Sequence, residues 1–332
     1  MENVQIIGTG SYLPKLIIQN DELSNFVDTS DEWIKSRTGI EERRITKGEN
    51  TSSLAAKAAK DALKNAKLNA KDIDLIIVAT ITPDCYFPST ACIVQEIIEA
   101  ENAICFDISA ACSGFIYGLN IASQFLKNGE IKNALVIGAE ALSKIIDWND
   151  RRTCVLFGDG AGAVVLGSGK NVGIMAIHTA SDGKGKEVLK CKAAPLFINN
   201  EMLRKKIDEN TLEDNKGYLY MEGKEVFKFA SWAIEDTIKI LLDKVDLSLD
   251  DIDYYIPHQA NLRIINHIVK KLKIDGDKFY TNLQKYGNTS SASIPIALDE
   301  MNKKGMLTKG KKILMVGFGA GLTWGGALVK WI

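Results

Sequence analysis

Asp72-Ile73-Asp74 recurs as Asp251-Ile252-Asp253, and Leu135-Val136-Ile137-Gly138 recurs as Leu314-Met315-Val316-Gly317. Both recurrences share one offset, 179 residues (72 to 251 and 135 to 314). Each copy of the first motif follows an amphipathic helical pattern and opens a strand. Either match alone is short, but two at one offset in one structural context indicate a duplicated fold. Outward from these motifs the pattern alternates. Residues 53–67 read as an Ala/Lys-rich amphipathic helix and 73–79 as a buried strand. Ser113 to Leu126 reads as a helix apolar on nearly every side, and so buried, and Leu135 to Ala139 as a second buried strand. Such alternation predicts an α/β layered fold with a largely parallel central sheet. The glycine-rich stretch at 167–173 is the expected seam, dividing the chain into halves at 1–170 and 171–332.

Composition narrows the function. The 332 residues are 46% hydrophobic and 25% charged, with a formal net charge of −1. That is enough apolar material for a substantial core and too much for disorder. It gives no overall electrostatic case for nucleic acid or a membrane surface. The six cysteines form no C-x-x-C pair and no zinc spacing. Met1-Glu2-Asn3-Val4 lacks the features of a secretory signal, and no run approaches 18 apolar residues. The expectation is a reduced, cytoplasmic protein with no metal. Any histidine chemistry must use His178, His258 or His267, because there are no others.

Cys112 stands in Ser109-Ala110-Ala111-Cys112-Ser113-Gly114, directly before the buried helix. A cysteine there feels the positive end of the helix dipole, which favours thiolate. Its small neighbours leave room for a substrate carbonyl. The plain alternative is a small buried hydrophobe, which suits the other five cysteines. His258, in Ile256-Pro257-His258-Gln259-Ala260-Asn261, falls where a strand ends and a helix begins, the usual ligand edge of an α/β sheet. A lone histidine is otherwise structural. His267 falls mid-helix and His178 in a strand, which makes both weaker candidates. Asn288, in Gly287-Asn288-Thr289-Ser290, is good turn chemistry, but its amide also suits an enolate oxygen. The runs Gly158-Asp159-Gly160-Ala161-Gly162 and Gly317-Phe318-Gly319-Ala320-Gly321 lack the Gly-Lys-Ser/Thr of a phosphate loop and read as tight turns. The second also permits a close backbone approach to an oxyanion. Trp33 and Arg37 read as packing or as an adenine-stacking pair. The charged stretch from Asp182 to Gly217, with Lys184, Lys186, Lys190, Arg204, Lys205 and Lys206, reads as a solvated insertion or a lid.

Taken together these segments resemble β-ketoacyl-acyl-carrier-protein synthase III over essentially the whole chain. The carrying motifs are Asp31-Glu32-Trp33-Ile34, Arg37-Thr38-Gly39-Ile40, Ala111-Cys112-Ser113-Gly114-Phe115, Phe157-Gly158-Asp159-Gly160-Ala161-Gly162-Ala163, Pro257-His258-Gln259-Ala260-Asn261-Leu262-Arg263, Gly287-Asn288-Thr289-Ser290 and Thr323-Trp324-Gly325.

The resemblance implies a thiolase-like, duplicated five-layer αβαβα fold and a homodimer. It implies an acyltransferase that condenses an acyl-CoA, acetyl-CoA first, with malonyl-acyl carrier protein. That reaction is decarboxylating and starts fatty acid synthesis, with acyl-CoA a substrate and no cofactor. The family's site maps onto Cys112 as nucleophile, His258 and Asn288. Its oxyanion hole maps onto the N–H groups of Cys112 and Ala320, where relatives often carry glycine. Trp33 and Arg151 would clamp the CoA adenine, and Arg37 would hold phosphate. Arg152 stands where relatives often have glycine, and Asn261 matches a polar residue near the site. Phe87 matches an acyl-pocket aromatic. Carrier docking falls on Lys228 and on Arg263, Lys270 and Lys271. The last three lie on a helix whose buried face is read as Leu262, Ile265, Val269 and Leu272. The fold's other enzymes fit less well. Thiolase needs a second catalytic cysteine near the C-terminus, and the last here is Cys191. A synthase of secondary metabolism with the same triad and a non-catalytic CoA-binding scaffold remain as alternatives.

Overall fold

The structure is a computed structural model that describes residues 3–192 and 217–332. β2 (Leu16–Gln19) and β3 (Glu42–Ile45) pair as a small ladder, with α1 (Asn20–Leu23) and α2 (Asp31–Thr38) between them in the chain, and the two large sheets take their strands from successive parts of the chain. The first, in the order β1-β7-β6-β4-β5, uses β1 (Asn3–Tyr12), β4 (Leu75–Ala79), β5 (Ile104–Ile108), β6 (Asn133–Glu140) and β7 (Gly160–Gly169). The second, in the order β11-β12-β13-β8, uses β8 (Ile174–Ser181), β11 (Tyr254–Pro257), β12 (Lys312–Gly319) and β13 (Thr323–Lys330). The sheets are mixed, not largely parallel: β5, β4 and β6 run parallel, as do β11 and β12, while β1, β7, β13 and β8 join antiparallel. For β12 and β13 the cause is connection length. Only Ala320, Gly321 and Leu322 separate β12 from β13, too few for a crossover helix.

Side-chain alternation then builds the layers. Ile76 and Val78 of β4 face the alanine-rich side of α3 (Thr51–Ala66) and α4 (Thr90–Ile98). Leu75 and Ile77 face the opposite way, onto α5 (Gly114–Lys127) and the helix Ser293–Lys303. Ile313 and Met315 of β12 join that same core from the second sheet. This is why the 113–126 segment is apolar all round: α5 lies between two sheets. On the far side of the second sheet, Leu314 and Val316 pack on the helices Gly223–Asp243 and Leu262–Leu272. The result is five layers, helix–sheet–helix–sheet–helix, the thiolase-like architecture.

The expected elements appear close to their sequence bounds, with one correction. In the helix Leu262–Leu272 the fully buried residues are Ile264, Ile265 and Ile268, while Leu262, Val269 and Leu272 are half-buried. The apolar face is therefore centred about one residue round from the stripe read in the sequence. The charged insertion is also not simply solvated. Its described ends pair as an antiparallel ladder, β9 (Leu189–Cys191) with β10 (Leu219–Met221), while Arg204, Lys205 and Lys206 lie outside the described residues.

Candidate active site

Cys112 sits in a 3₁₀ turn, Ala111–Ser113, at the N-terminus of α5. Ala111 is held at φ 46, a left-handed conformation that costs a non-glycine residue free energy and is typical of functional turns. Gly319, the last residue of β12, passes so close that a Cβ there would lie 2.7 Å from the Cys112 nitrogen. The glycine run is therefore a close approach, as its sequence suggested. Ala320 follows, outside the positive-φ region, so the alanine is carried without strain.

His258 follows β11 and is 2% exposed. Its N–H bonds to the Val316 carbonyl at 2.7 Å, and the Phe318 ring stands edge-on to it at 5.1 Å. Ser293 Oγ lies 2.7 Å from Nδ1 and also accepts the Gln259 N–H at 3.3 Å. A serine so held directs its proton to Nδ1, which leaves Nε2–H for the cavity. Burial lowers the imidazole pKa to about 3, so the ring is neutral. Asn288 is fixed by its backbone to the Phe157–Gly158 turn, through N to Leu156 O (2.8 Å) and O from Gly158 N (3.0 Å). Its Oδ1 accepts the Ser290 N–H at 2.8 Å, so Nδ2 is the end able to donate.

These three side chains line one cavity of about 160 Å³, together with Ala320, Phe157, Leu142 and the ladder residues Leu189 and Leu219. The helix-dipole expectation for Cys112 is reversed. Burial pushes the thiol up to about 12, and the Glu140 carboxylate adds to this, against a hydrogen bond from Ser290. Among the described residues no cation offsets this shift, so desolvation outweighs the dipole and the resting group is a thiol.

The cavity shares Met221, Gly223, Phe227 and Asn261 with an outer groove. That groove carries Arg152, Lys224, Lys228 and Arg263 against Glu222. Asn261 caps the helix Leu262–Leu272 by accepting from Arg263 N (2.9 Å), and its amide donates to the Arg37 carbonyl (3.2 Å). Lys228 pairs with Glu225 at 2.8 Å and Lys271 with Glu235 at 2.5 Å. Lys270 and Lys271 do not line the groove. Arg151 and Trp33 do meet, but on each other. The guanidinium lies 4.8 Å from the indole centroid and is held by Asp28, so a base enters between them only by displacing it. Phe87 is not brought to the cavity of its own chain. It is 85% exposed beside the equally bare Tyr86, in the loop between β4 and α4.

The sequence reading missed three residues here: Ser290, Ser293 and Glu140. Glu140 had a signal, as a lone carboxylate closing the apolar strand run Ala134-Leu135-Val136-Ile137-Gly138-Ala139.

Comparison with known proteins fits this geometry. The family described as 3-Oxoacyl-[acyl-carrier-protein (ACP)] synthase III matches residues 106–183, and its C-terminal counterpart matches 242–331. The chain is 58% identical, over all of both chains, to a Beta-ketoacyl-[acyl-carrier-protein] synthase III of Clostridium novyi. The crystal structure of 3-oxoacyl-[acyl-carrier-protein] synthase III from Aquifex aeolicus superposes with a TM-score of 0.91 at 48% identity, covering 99% of this chain and 100% of that one. The priming β-ketosynthase of the R1128 polyketide pathway superposes nearly as well, with a TM-score of 0.90, but at 34% identity, covering 99% of this chain and 97% of that one. The chain belongs to the 3-oxoacyl-[acyl-carrier-protein] synthase III family and is an acyltransferase.

Proposed function

We propose that this chain condenses an acyl-CoA primer, acetyl-CoA first, with malonyl-acyl carrier protein and so starts fatty acid synthesis. The observation that carries the reading is the convergence of Cys112, His258 and Asn288 on one largely apolar cavity. Cys112 attacks the acyl-CoA thioester, CoA leaves, and the acyl group stays on sulfur. Malonyl-carrier protein then enters. The Nε2–H of His258 and Nδ2 of Asn288 donate to its thioester oxygen and stabilise the enolate formed as CO2 departs. The carbanion attacks the acyl group and frees Cys112. Both donors are neutral, which suits an enolate: neither offers an acidic proton that would quench it. The backbone N–H groups of Cys112 and Ala320 serve the acyl oxyanion.

The cationic groove is the entry path. Arg152, Lys228 and Arg263 face an acidic carrier or the phosphates of CoA there, with Arg37 near the same helix cap and Trp33 and Arg151 opening to take the adenine. Identity favours fatty acid synthesis over the polyketide-priming alternative, whose relative is further in sequence.

The same reading includes a homodimer. The edge strand β5 leaves Ile104 53% exposed, and Phe87 and Tyr86 stand bare nearby in sequence. Unpaired edges and exposed aromatics of this kind are covered by a partner. Phe87 then reaches an acyl pocket only as a contribution to a second copy. Among the described residues no helix is long and apolar enough to cross a membrane. A cytoplasmic location belongs to the same proposal and rests on the supply of acyl-CoA.

Intact-mass measurement after incubation with acetyl-CoA tests the core of this reading. The protein should gain one acetyl group and Cys112→Ala none; a labelled Cys112→Ala protein overturns the nucleophile. Reversing Lys228 and Arg263 to glutamate should depress condensation with malonyl-carrier protein at low salt while acetyl transfer persists. Unchanged carrier kinetics reject the docking face.

A further inference from the structure

Glu140 closes β6 and is completely buried, yet its hydrogen-bond partners among the described residues are all neutral. Its Oε2 is crowded by Thr80 Oγ1 (3.2 Å), the Ile81 N–H (3.1 Å) and Thr82 Oγ1 (2.7 Å). Its Oε1 meets Ser290 Oγ (3.1 Å) and Ser291 Oγ (3.0 Å). Ser291 has a single proton, and its other partner is the Ala79 carbonyl at 2.8 Å, which can only accept. When Ser291 donates to Ala79, its lone pairs face Oε1. That carboxylate oxygen therefore has a waiting acceptor for a proton of its own. On its other side Ser290 lines the same cavity as Cys112, from a turn packed against the turn that carries Cys112. A left-handed φ of 50 holds it there, and the Asn288 side chain pins its N–H.

We propose that Ser290 relays the Cys112 proton to Glu140. As Sγ attacks the thioester carbon, the thiol proton passes to Ser290 Oγ and the Ser290 proton to Glu140 Oε1. The carbon–sulfur bond to CoA breaks, and CoA leaves as a thiolate that takes a proton from water. Glu140 stays protonated while the acyl group is on Cys112. When the carbanion displaces Cys112 as a thiolate, the proton returns through Ser290 and restores the thiol. This rests on Cys112 being the nucleophile.

The arrangement meets the needs of both half-reactions. A neutral Glu140 during the acyl-enzyme stage places no negative charge beside the forming enolate. Burial raises the Glu140 carboxyl above the usual carboxylate range, which brings it closer to the thiol it serves. The titratable groups facing the relay are Cys112 and, in the same cavity, His258, with Lys190 and Cys191 also in the lining. His258 is kept neutral with Nδ1 engaged by Ser293 and Nε2–H committed to donation, which leaves it poorly placed to take the thiol proton.

The test is single-turnover acetyl transfer from acetyl-CoA, followed by intact mass across pH, with thermal unfolding to verify folding. Glu140→Gln keeps the size of the side chain but cannot take the proton. It should slow acetyl transfer about 10²-fold and remove the acid limb of the pH profile, where wild-type rate rises as Glu140 ionises. Ser290→Ala should do the same, and should carry the test alone if Glu140→Gln fails to fold. The double variant should be no slower than the worse single, because both break one path. Variants that transfer acetyl at wild-type rate with an unchanged profile overturn the relay, as do multiplicative losses in the double. A wild-type protein left unacetylated at Cys112 instead overturns the nucleophile assignment beneath it.

Discussion

Two turns face each other across the middle of the molecule, and they are copies. The 179-residue offset found in Asp72-Ile73-Asp74 carries the turn Ala111–Ser113 onto Ser290–Ala292, each leading into one of the two central helices. The first residue of each is left-handed, Ala111 at φ 46 and Ser290 at φ 50. Cys112 corresponds to Ser291. The scaffolds beneath share their caps and strand-opening bonds. Asp72 caps its own turn through the Asn69 N–H at 2.8 Å, and Asp251 does so through the Ser248 N–H at 2.8 Å. Asp74 receives the Asn133 N–H at 3.0 Å, and Asp253 the Lys312 N–H at 2.8 Å. What differs is the strand ends each turn meets. Ser291 meets Ala79 and Glu140, and its hydroxyl is consumed by them. Cys112 meets the residues at the matching positions, His258 and Gly319, and opens on a cavity. The duplicated scaffold positions; side chains at the carboxyl ends of the strands distinguish the turn proposed to react from the one that supports.

The sharpest way to break this comparison is to make the reactive half more like its twin. His258→Ala installs the residue found at the matching position 79. Decarboxylation of malonyl-carrier protein should fall about 10²–10³-fold, as for loss of one oxyanion donor, with Asn288→Ala similar. Acetyl transfer to Cys112 should persist in both. Equal losses in the two half-reactions, measured separately, refute the division of labour.

A second, smaller effect concerns stability against pH. His258 has a folded pKa of about 3 against an ordinary 6.5, so below 6.5 the unfolded chain binds a proton that the folded one refuses. Stability from this group is complete above pH 6.5 and is lost as pH falls towards 3, at up to about 1.4 kcal/mol per pH unit. In His258→Ala that portion of the slope should vanish from denaturant titrations run between pH 6.5 and 4. A slope identical to wild type would show that the histidine is not refused its proton.

The smallest effect should be the most symmetrical. Asp74→Ala removes the acceptor of the Lys132 and Asn133 N–H groups, and Asp253→Ala that of the Lys312 N–H and the Lys311 ammonium, so each loses two bonds at a cost of about 1–3 kcal/mol. Midpoints in urea should move by similar amounts. A loss confined to one copy would mean that the two scaffolds are not energetically equivalent.

The sequence displayed the scaffold better than the site. Periodicity placed α3, β4, α5 and β6 because burial on two faces writes an almost continuous apolar run. The repeat was legible because caps and strand starts require particular residues at particular spacing. Cys112, His258 and Asn288 were visible through local context and family resemblance. The thiol's ionisation was not, since the helix dipole is local but desolvation comes from elements more than a hundred residues away. Glu140, Ser290 and Ser293 act through hydrogen bonds between distant segments, to which no local pattern points. Phe87 was matched by motif, and only its 85% exposure separates it from its own cavity.

The protonated state of Cys112 also bears on how long the molecule lasts. Oxidants and alkylating agents react with thiolates far faster than with thiols. Burial that raises the Cys112 thiol to about 12 shields this proposed nucleophile between turnovers. Cys85, Cys92 and Cys191, which are exposed, meet such reagents first. Oxidative damage should therefore accumulate on the surface while Cys112 remains reduced.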